Sequence, residues 1–135
     1  MTRFVVDAGT ALRLVAEDAQ VPDAHGLLAP TLLRSQTLSA LHEAVHHGDL
    51  SAEVGREHLA RVDRLPVRLF GDAVLRRTSW KIADELGLAS TYDAEYVALA
   101  RLRGIALVTA DADLARAVVG VTETAPYEAL LDAEA

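Results

Sequence analysis

The chain is punctuated by short apolar runs, Phe4-Val5-Val6, Leu27-Leu28-Ala29, Pro66-Val67-Arg68-Leu69-Phe70 and Ala106-Leu107-Val108, each followed by a longer stretch of helical periodicity. Runs this short, with little polar alternation, read as strands buried on both faces, and a helix between successive strands gives each crossover the length that parallel pairing requires. The alternation therefore predicts an α/β fold, a central mostly parallel sheet with helices on both faces. A weaker strand is expected near residues 120–122.

The intervening segments fill in the layers. A helix is expected from about Thr10 to Asp18, and a second from Thr31 to His47, with Pro30 at its start, Leu38, Leu41 and Val45 inward, and Gly48 as its stop. A third runs from Ser51 to about Arg64 with Leu59 and Val62 inward, and a fourth from Asp72 to Leu86, closed by Gly87. Ser90 or Thr91 caps the helix that carries Tyr96, Val97, Leu99 and Ala100, and a last helix spans Asp111 to Ala117. With no repeat, low-complexity tract or linker-like run, residues 1–135 read as one domain able to bury its own core.

Composition narrows the function classes. No apolar run approaches the roughly 18 residues of a membrane span, and the N-terminus lacks the basic-then-apolar layout of a signal peptide, so a cytoplasmic protein with no membrane partner is expected. The chain has no cysteine, which excludes disulfides and thiolate chemistry. A formal net charge of -7 argues against a protein that coats nucleic acid through a basic field. It leaves room for an enzyme whose acidic site is neutralised by divalent cations.

Two groups of residues suggest metal chemistry. His42-Glu43-Ala44-Val45-His46 has the HExxH spacing of zinc peptidases, in which two imidazoles one helical turn apart hold the ion and the glutamate activates water. A catalytic zinc also needs a third protein ligand, and His47 is turned off that face while His25 and His58 stand in no motif. Histidines close to a helix C-terminus have a simpler use, as partners of the helix dipole.

The second group lies at predicted strand ends, where open parallel sheets bind ligands. Asp7 directly follows the first strand, and Asp111 and Asp113 follow Ala106-Leu107-Val108. Asp93, in the first turn of the intervening helix, is placed to reach the same edge. Taken singly, Asp93 and Asp111 also fit capping or dipole roles, whereas Asp7 is read as a desolvated carboxylate without a partner. Four converging carboxylates repel unless neutralised, and an oxygen-only donor set suits Mg²⁺ or Mn²⁺.

Phe4-Val5-Val6-Asp7, then Tyr92-Asp93-Ala94-Glu95-Tyr96-Val97-Ala98-Leu99-Ala100, then Leu107-Val108-Thr109-Ala110-Asp111, in this order and spacing, resemble PIN-domain proteins, especially the VapC-type toxins of bacterial toxin–antitoxin pairs. The resemblance covers the whole chain, and its second half is the specific part. It implies a PIN-like α/β/α sandwich and a metal-dependent endoribonuclease with Mg²⁺ or Mn²⁺ held by acidic side chains. By position, Asp7, Asp93 and Asp111 match the family's metal-binding acids, Asp113 an additional acid, and Thr109 the small polar residue supporting the site. It also implies an RNA substrate, a VapB-like antitoxin whose C-terminal segment fills the acidic cleft, and a homodimer.

The chain departs from the family pattern at two positions. Gly9 stands where members usually carry Ser, Thr or Asn, with Thr10 adjacent as a substitute hydroxyl, and Gln36 stands where the second acid is expected. Glu43 is seven residues beyond Gln36, about 20° around the helix but about 10 Å along it. The expectation is a weaker metal site, or one needing Mn²⁺ or high Mg²⁺. Arg34, Arg76, Arg77 and Lys81 are candidates for gripping an RNA backbone. The alternatives are a catalytically degenerate PIN-like binding module, with Gln36 marking the lost chemistry, and, more remotely, a zinc metallopeptidase acting through residues 42–46.

Overall fold

The structure is a computed structural model that describes residues 1–134. In chain order its elements are β1 (Thr2–Val6), α1 (Ala8–Ala16), β2 (His25–Pro30), α2 (Leu32–His46), α3 (Ala52–Arg64), β3 (Val67–Phe70), α4 (Ala73–Leu86), α5 (Tyr92–Arg103), β4 (Ala106–Val108) and α6 (Ala112–Ala117), followed by a 3-10 turn at Tyr127–Leu130. The strands form one sheet in the order β3-β2-β1-β4, parallel at every pairing. Val5 lies opposite Leu28 of β2 and Leu107 of β4. Because β2 and β3 build outward from one side of β1 and β4 from the other, the chain changes winding direction between β1 and β4. That is the crevice in which open parallel sheets bind ligands.

Side-chain alternation along the strands feeds two cores. Val5, Leu28 and Leu107 face a cluster with Leu75 and Ile82 of α4 and Val97 and Leu99 of α5. Phe4, Val6, Leu27 and Val108 face the opposite cluster with Leu14 of α1, Tyr127 and Leu130. In α5 every residue from Tyr96 to Ala100 is buried, as is Ala94, the pattern of a helix enclosed nearly all round. Its burial fixes the direction in which its first turn points.

Several expectations are corrected. The first helix begins at Ala8, earlier than Thr10, because Asp7 is its N-cap. The inward face of α2 is Leu33, Thr37 and Leu41, whereas Leu38 is exposed and Val45 half-buried. Thr37 is accepted inside because its hydroxyl donates to the Leu33 carbonyl at 2.8 Å, which satisfies it within its own helix. Val45 instead packs on α3, where a Cβ on Gly55 would lie 2.5 Å from Val45 Cγ2; the glycine sets the approach of the two helices. Leu59 and Val62 are half-buried. No strand forms at 120–122: Gly120 has φ +82° and Val121 and Thr122 donate back to the Val118 carbonyl. Only the following segment reaches β4, through one parallel bridge between Thr124 and Leu107. No helix among the described residues is long and apolar enough to cross a membrane.

Candidate active site

The carboxyl ends of β1 and β4 are adjacent, since Val6 pairs with Val108. Asp7 leaves β1 in extended geometry, and its Oδ1 accepts the Thr10 amide at 2.9 Å, which caps α1. From the β4 side, the Thr109 hydroxyl donates to Asp7 Oδ2 at 2.5 Å, and the Ala110 amide donates to the same oxygen at 3.1 Å. Asp7 is therefore not the partnerless carboxylate expected from sequence. Three donors fix its rotamer, while the roughly four lone-pair sites of a carboxylate leave one direction open.

Thr10 does not provide the substitute hydroxyl for Gly9. It is buried, and its Oγ1 donates to the Val108 carbonyl at 3.1 Å, so its work is to join α1 to the end of β4. Gly9 itself is needed where it stands. A Cβ there would lie 2.7 Å from Ala110 Cβ, so the amide that holds Asp7 comes close only because position 9 has no side chain.

Asp111 is the N-cap of α6, and its Oδ1 accepts the amides of Asp113 and Leu114 at 2.9 and 3.2 Å. The Thr109 hydroxyl also accepts the Asp111 amide at 3.0 Å, which links the two acids through one side chain. Asp113 is highly exposed and paired with Arg116 one turn along α6. Asp93 projects from the first turn of α5, whose N-cap residue Thr91 makes no side-chain cap bond, while Ser90 Oγ accepts the Tyr92 amide at 3.3 Å. Partial desolvation, and then the charges of Asp111 and Asp7, push the Asp93 carboxyl above its ordinary value. Carboxylates from the ends of β1, α5 and β4 thus act on one another across the switch point. Glu95 is likewise pushed up by partial burial, with Arg76 opposing the shift.

Gln36 is tied into the same region: its Oε1 accepts the Tyr96 hydroxyl at 2.5 Å. Tyr96 is buried, and its hydroxyl is held strongly protonated by burial and by the charges of Asp7, Glu95 and Asp93. It is therefore a donor to whatever stands at position 36. Sequence reasoning missed this residue, although Tyr96 lies three residues from Asp93 on the same helix face, and a buried tyrosine calls for a hydroxyl partner. It also missed Ala110, whose contribution is a backbone amide with no side-chain signal.

His42, Glu43, His46 and His47 are all exposed on the last turns of α2. Among the described residues no three His, Asp or Glu side chains are gathered closely enough to hold an ion without rearrangement. That weighs differently on the two candidates. Zinc sites need a compact shell with at least three protein ligands, whereas Mg²⁺ keeps several waters and is commonly held through one or two carboxylates.

The PIN domain family model matches residues 5–119. The chain belongs to the PIN domain family. A VapC ribonuclease of Mycobacterium bovis and ribonuclease VapC9 of Mycobacterium tuberculosis are each 38% identical to it over 111 residues, covering 80% of this chain and 85% of theirs. Among solved structures, PAE2754 from Pyrobaculum aerophilum superposes with a TM-score of 0.72 at 25% identity, covering 96% of this chain and 93% of its own. VapBC2 from Rickettsia felis, solved with a DNA fragment of its promoter, matches in fold with a TM-score of 0.66 at 9% identity, covering 93% and 98%. The α/β/α sandwich expected from the sequence is thus the PIN fold, with Asp7, Asp93 and Asp111 at its switch point.

Proposed function

We propose that this PIN domain is a Mg²⁺- or Mn²⁺-dependent endoribonuclease and the toxin of a VapBC-like pair, acting in the cytoplasm as a homodimer. The observation that carries the proposal is geometric: Asp7 and Asp111 follow the paired ends of β1 and β4 and are linked through Thr109, and Asp93 in the first turn of α5 stands near enough for their charges to raise its carboxyl. The likeness to VapC ribonucleases supports RNA as the substrate and a VapB-like antitoxin as the partner.

The donor set fits a hard divalent cation: it is all oxygen, its charges repel, and among the described residues no ion pair neutralises Asp7, Asp93 or Asp111. Asp7, Asp93 and Asp111 would hold the ion, with Asp113 beside them but paired with Arg116. Such an ion supplies a water of lowered pKa and charge stabilisation at the scissile phosphate. Thr109 and Ala110 orient Asp7, Thr109 also steadies the Asp111 backbone, and Tyr96 positions Gln36. No side chain here serves as a covalent nucleophile; the acids provide charge and position.

One observation favours the second reading, a binding module with reduced chemistry: Gln36 brings no charge and its oxygen is already occupied by Tyr96. The deciding experiment is cleavage of structured RNAs across Mg²⁺, Mn²⁺ and Zn²⁺ with Asp93→Asn in parallel. The expected result is Mg²⁺- or Mn²⁺-dependent cutting that falls by about 100-fold or more in the variant. RNA and metal binding without cuts would support the second reading instead. Copurification with the product of an adjacent small gene tests the antitoxin, and sedimentation tests the dimer.

A further inference from the structure

Trp80, the one tryptophan in the chain, is 69% exposed on α4. Leu75, Ser79 and Ile82 turn the opposite side of α4 into the core, which leaves Arg76, Arg77, Trp80 and Lys81 together on the solvent side. Trp80 and Arg76 line two clefts of about 520 Å³ each. The first is bounded by Thr31 after β2, Gly71 after β3, Thr91 at the N-cap of α5 and Glu95 within it. It therefore opens on the same carboxyl edge of the sheet as Asp7, and its α5 wall brackets Asp93 in sequence. Arg77 and Lys81 line the second cleft. Among the described residues Arg76, Arg77 and Lys81 form no ion pair, and Arg76 and Glu95 line the same cleft.

We infer that the first cleft is a nucleobase pocket, in which Trp80 stacks on an unpaired guanine of the RNA, Glu95 reads its edge, and Arg76, Arg77 and Lys81 hold the flanking phosphates. The inference rests on the RNA-cleaving reading above and adds which base is recognised. An exposed indole between cations is the usual platform for single-stranded nucleic acid, because every base offers a flat face and every linkage a negative charge. The size is in the range of ligand clefts, about 300–1,000 Å³. Glu95 supplies the discrimination. An ionised carboxylate only accepts hydrogen bonds, and guanine alone presents two adjacent donors, N1–H and the N2 amino group, on its pairing edge. Adenine and cytosine each place an acceptor beside their amino group, and uracil offers one N–H between two carbonyls. A polypeptide occupant is less well matched: an apolar helix needs a continuous apolar strip, and the only other large exposed hydrophobic residue on α4 is Val74.

The single tryptophan makes the test direct. Indole fluorescence is titrated with 2′-O-methyl RNA hexamers that contain one guanine or none, in EDTA so that hydrolysis plays no part. Saturable quenching with about tenfold tighter binding of the guanine-bearing hexamer is expected. Glu95→Ala should erase the preference and keep the quenching. By anisotropy of a labelled hexamer, Trp80→Ala should bind about 10- to 100-fold more weakly, and Trp80→Tyr should recover most of the loss. Quenching equal for all hexamers would overturn the guanine assignment. No quenching by any hexamer, or quenching only by a copurifying protein partner, would overturn the pocket. Cleavage measured on the same preparation separates the two readings: cutting without quenching sinks only the pocket, and guanine-selective quenching without cutting sinks only the nuclease.

Discussion

Two regions of this molecule carry residue types that suggest metal binding in the sequence, and they differ in how those residues are held. At the switch point, Asp7, Asp93 and Asp111 come from β1, α5 and the β4–α6 turn, and Asp7 is fixed by the Thr109 hydroxyl and the amides of Thr10 and Ala110. On α2, His42 and His46 come from one helix, stand exposed, and have no third ligand gathered near them among the described residues. The second region has the better-known sequence spacing and the first has the better-built geometry. Convergence from separate elements, with side chains fixed by a second set of hydrogen bonds, is what makes a site; spacing along one helix costs nothing to produce by chance.

If the switch point is rigid, disturbing its scaffold has the largest effect. Gly9→Ser, which introduces a residue type common at this position in the family, drives a Cβ to within 2.7 Å of Ala110 Cβ. The expected cost is about 1–3 kcal/mol in urea unfolding, and Ala110→Gly in the same chain should recover most of it. A neutral Gly9→Ser would mean that the Asp7–Ala110 contact gives way freely, and the contrast with α2 would lose its basis.

Gln36→Glu sharpens the comparison by adding charge where the family places its second acid. Tyr96 remains a donor, now to a carboxylate, so the fold tolerates the change. The Mg²⁺ concentration for half-maximal cleavage should fall about tenfold, corresponding to about 1.4 kcal/mol of added metal binding. An unshifted activation curve would remove position 36 from the ion's surroundings.

Much of this arrangement is legible in sequence where one local rule is enough. A β-branched run ending in Asp, or a strand followed by Thr-Ala-Asp at a helix start, identifies β1, β4 and their acids directly. What is not legible depends on packing between distant segments. Thr109, matched by resemblance as the supporting polar residue, does serve Asp7, but Thr10, expected to supply a second hydroxyl beside Gly9, donates to the Val108 carbonyl across the chain. Leu38 has the period of a core residue, yet α2 is rotated to bury Thr37, whose hydroxyl satisfies itself within the helix. The strand expected at 120–122 is lost to a turn at Gly120, a glycine already visible in sequence but whose φ of +82° is not.

A smaller effect follows from the charge on Asp93. Its folded-state pKa is raised by desolvation and by Asp111 and Asp7, so the folded protein binds that proton more tightly than the unfolded chain does. Stability therefore falls as pH rises from the ordinary carboxylate value through the raised one, and stays lower above it. Without metal at neutral pH, Asp93→Asn should raise the Tm by about 1–3 °C, a modest gain because the group is partly exposed. Below about pH 3.9 the gain should vanish. Added Mg²⁺ should then stabilise the unsubstituted chain more than the variant. A variant less stable than the parent at pH 7 without metal would show that Asp93 is held by attraction and not strained by its neighbours.

The smallest expected effect is at the other region. His42→Ala with His46→Ala removes both imidazoles of the HExxH segment from exposed positions near the C-terminus of α2, where each contributes at most a weak interaction with the helix dipole. Stability should change by less than about 0.5 kcal/mol per site and RNA cleavage by less than about twofold. Bound zinc after dialysis should be far below one equivalent in both chains. Glu43→Gln belongs beside them, because in a zinc peptidase that carboxylate is the base, whereas here it is an exposed side chain on the surface of α2. One equivalent of dialysis-resistant zinc, lost in the double variant, would reverse the ranking of the two regions. It would require a third ligand brought up by rearrangement or by a second copy of the chain, since among the described residues no group of three is gathered there. The comparison thus rests on a measurement that tests α2 by itself, independent of whether the switch point is active.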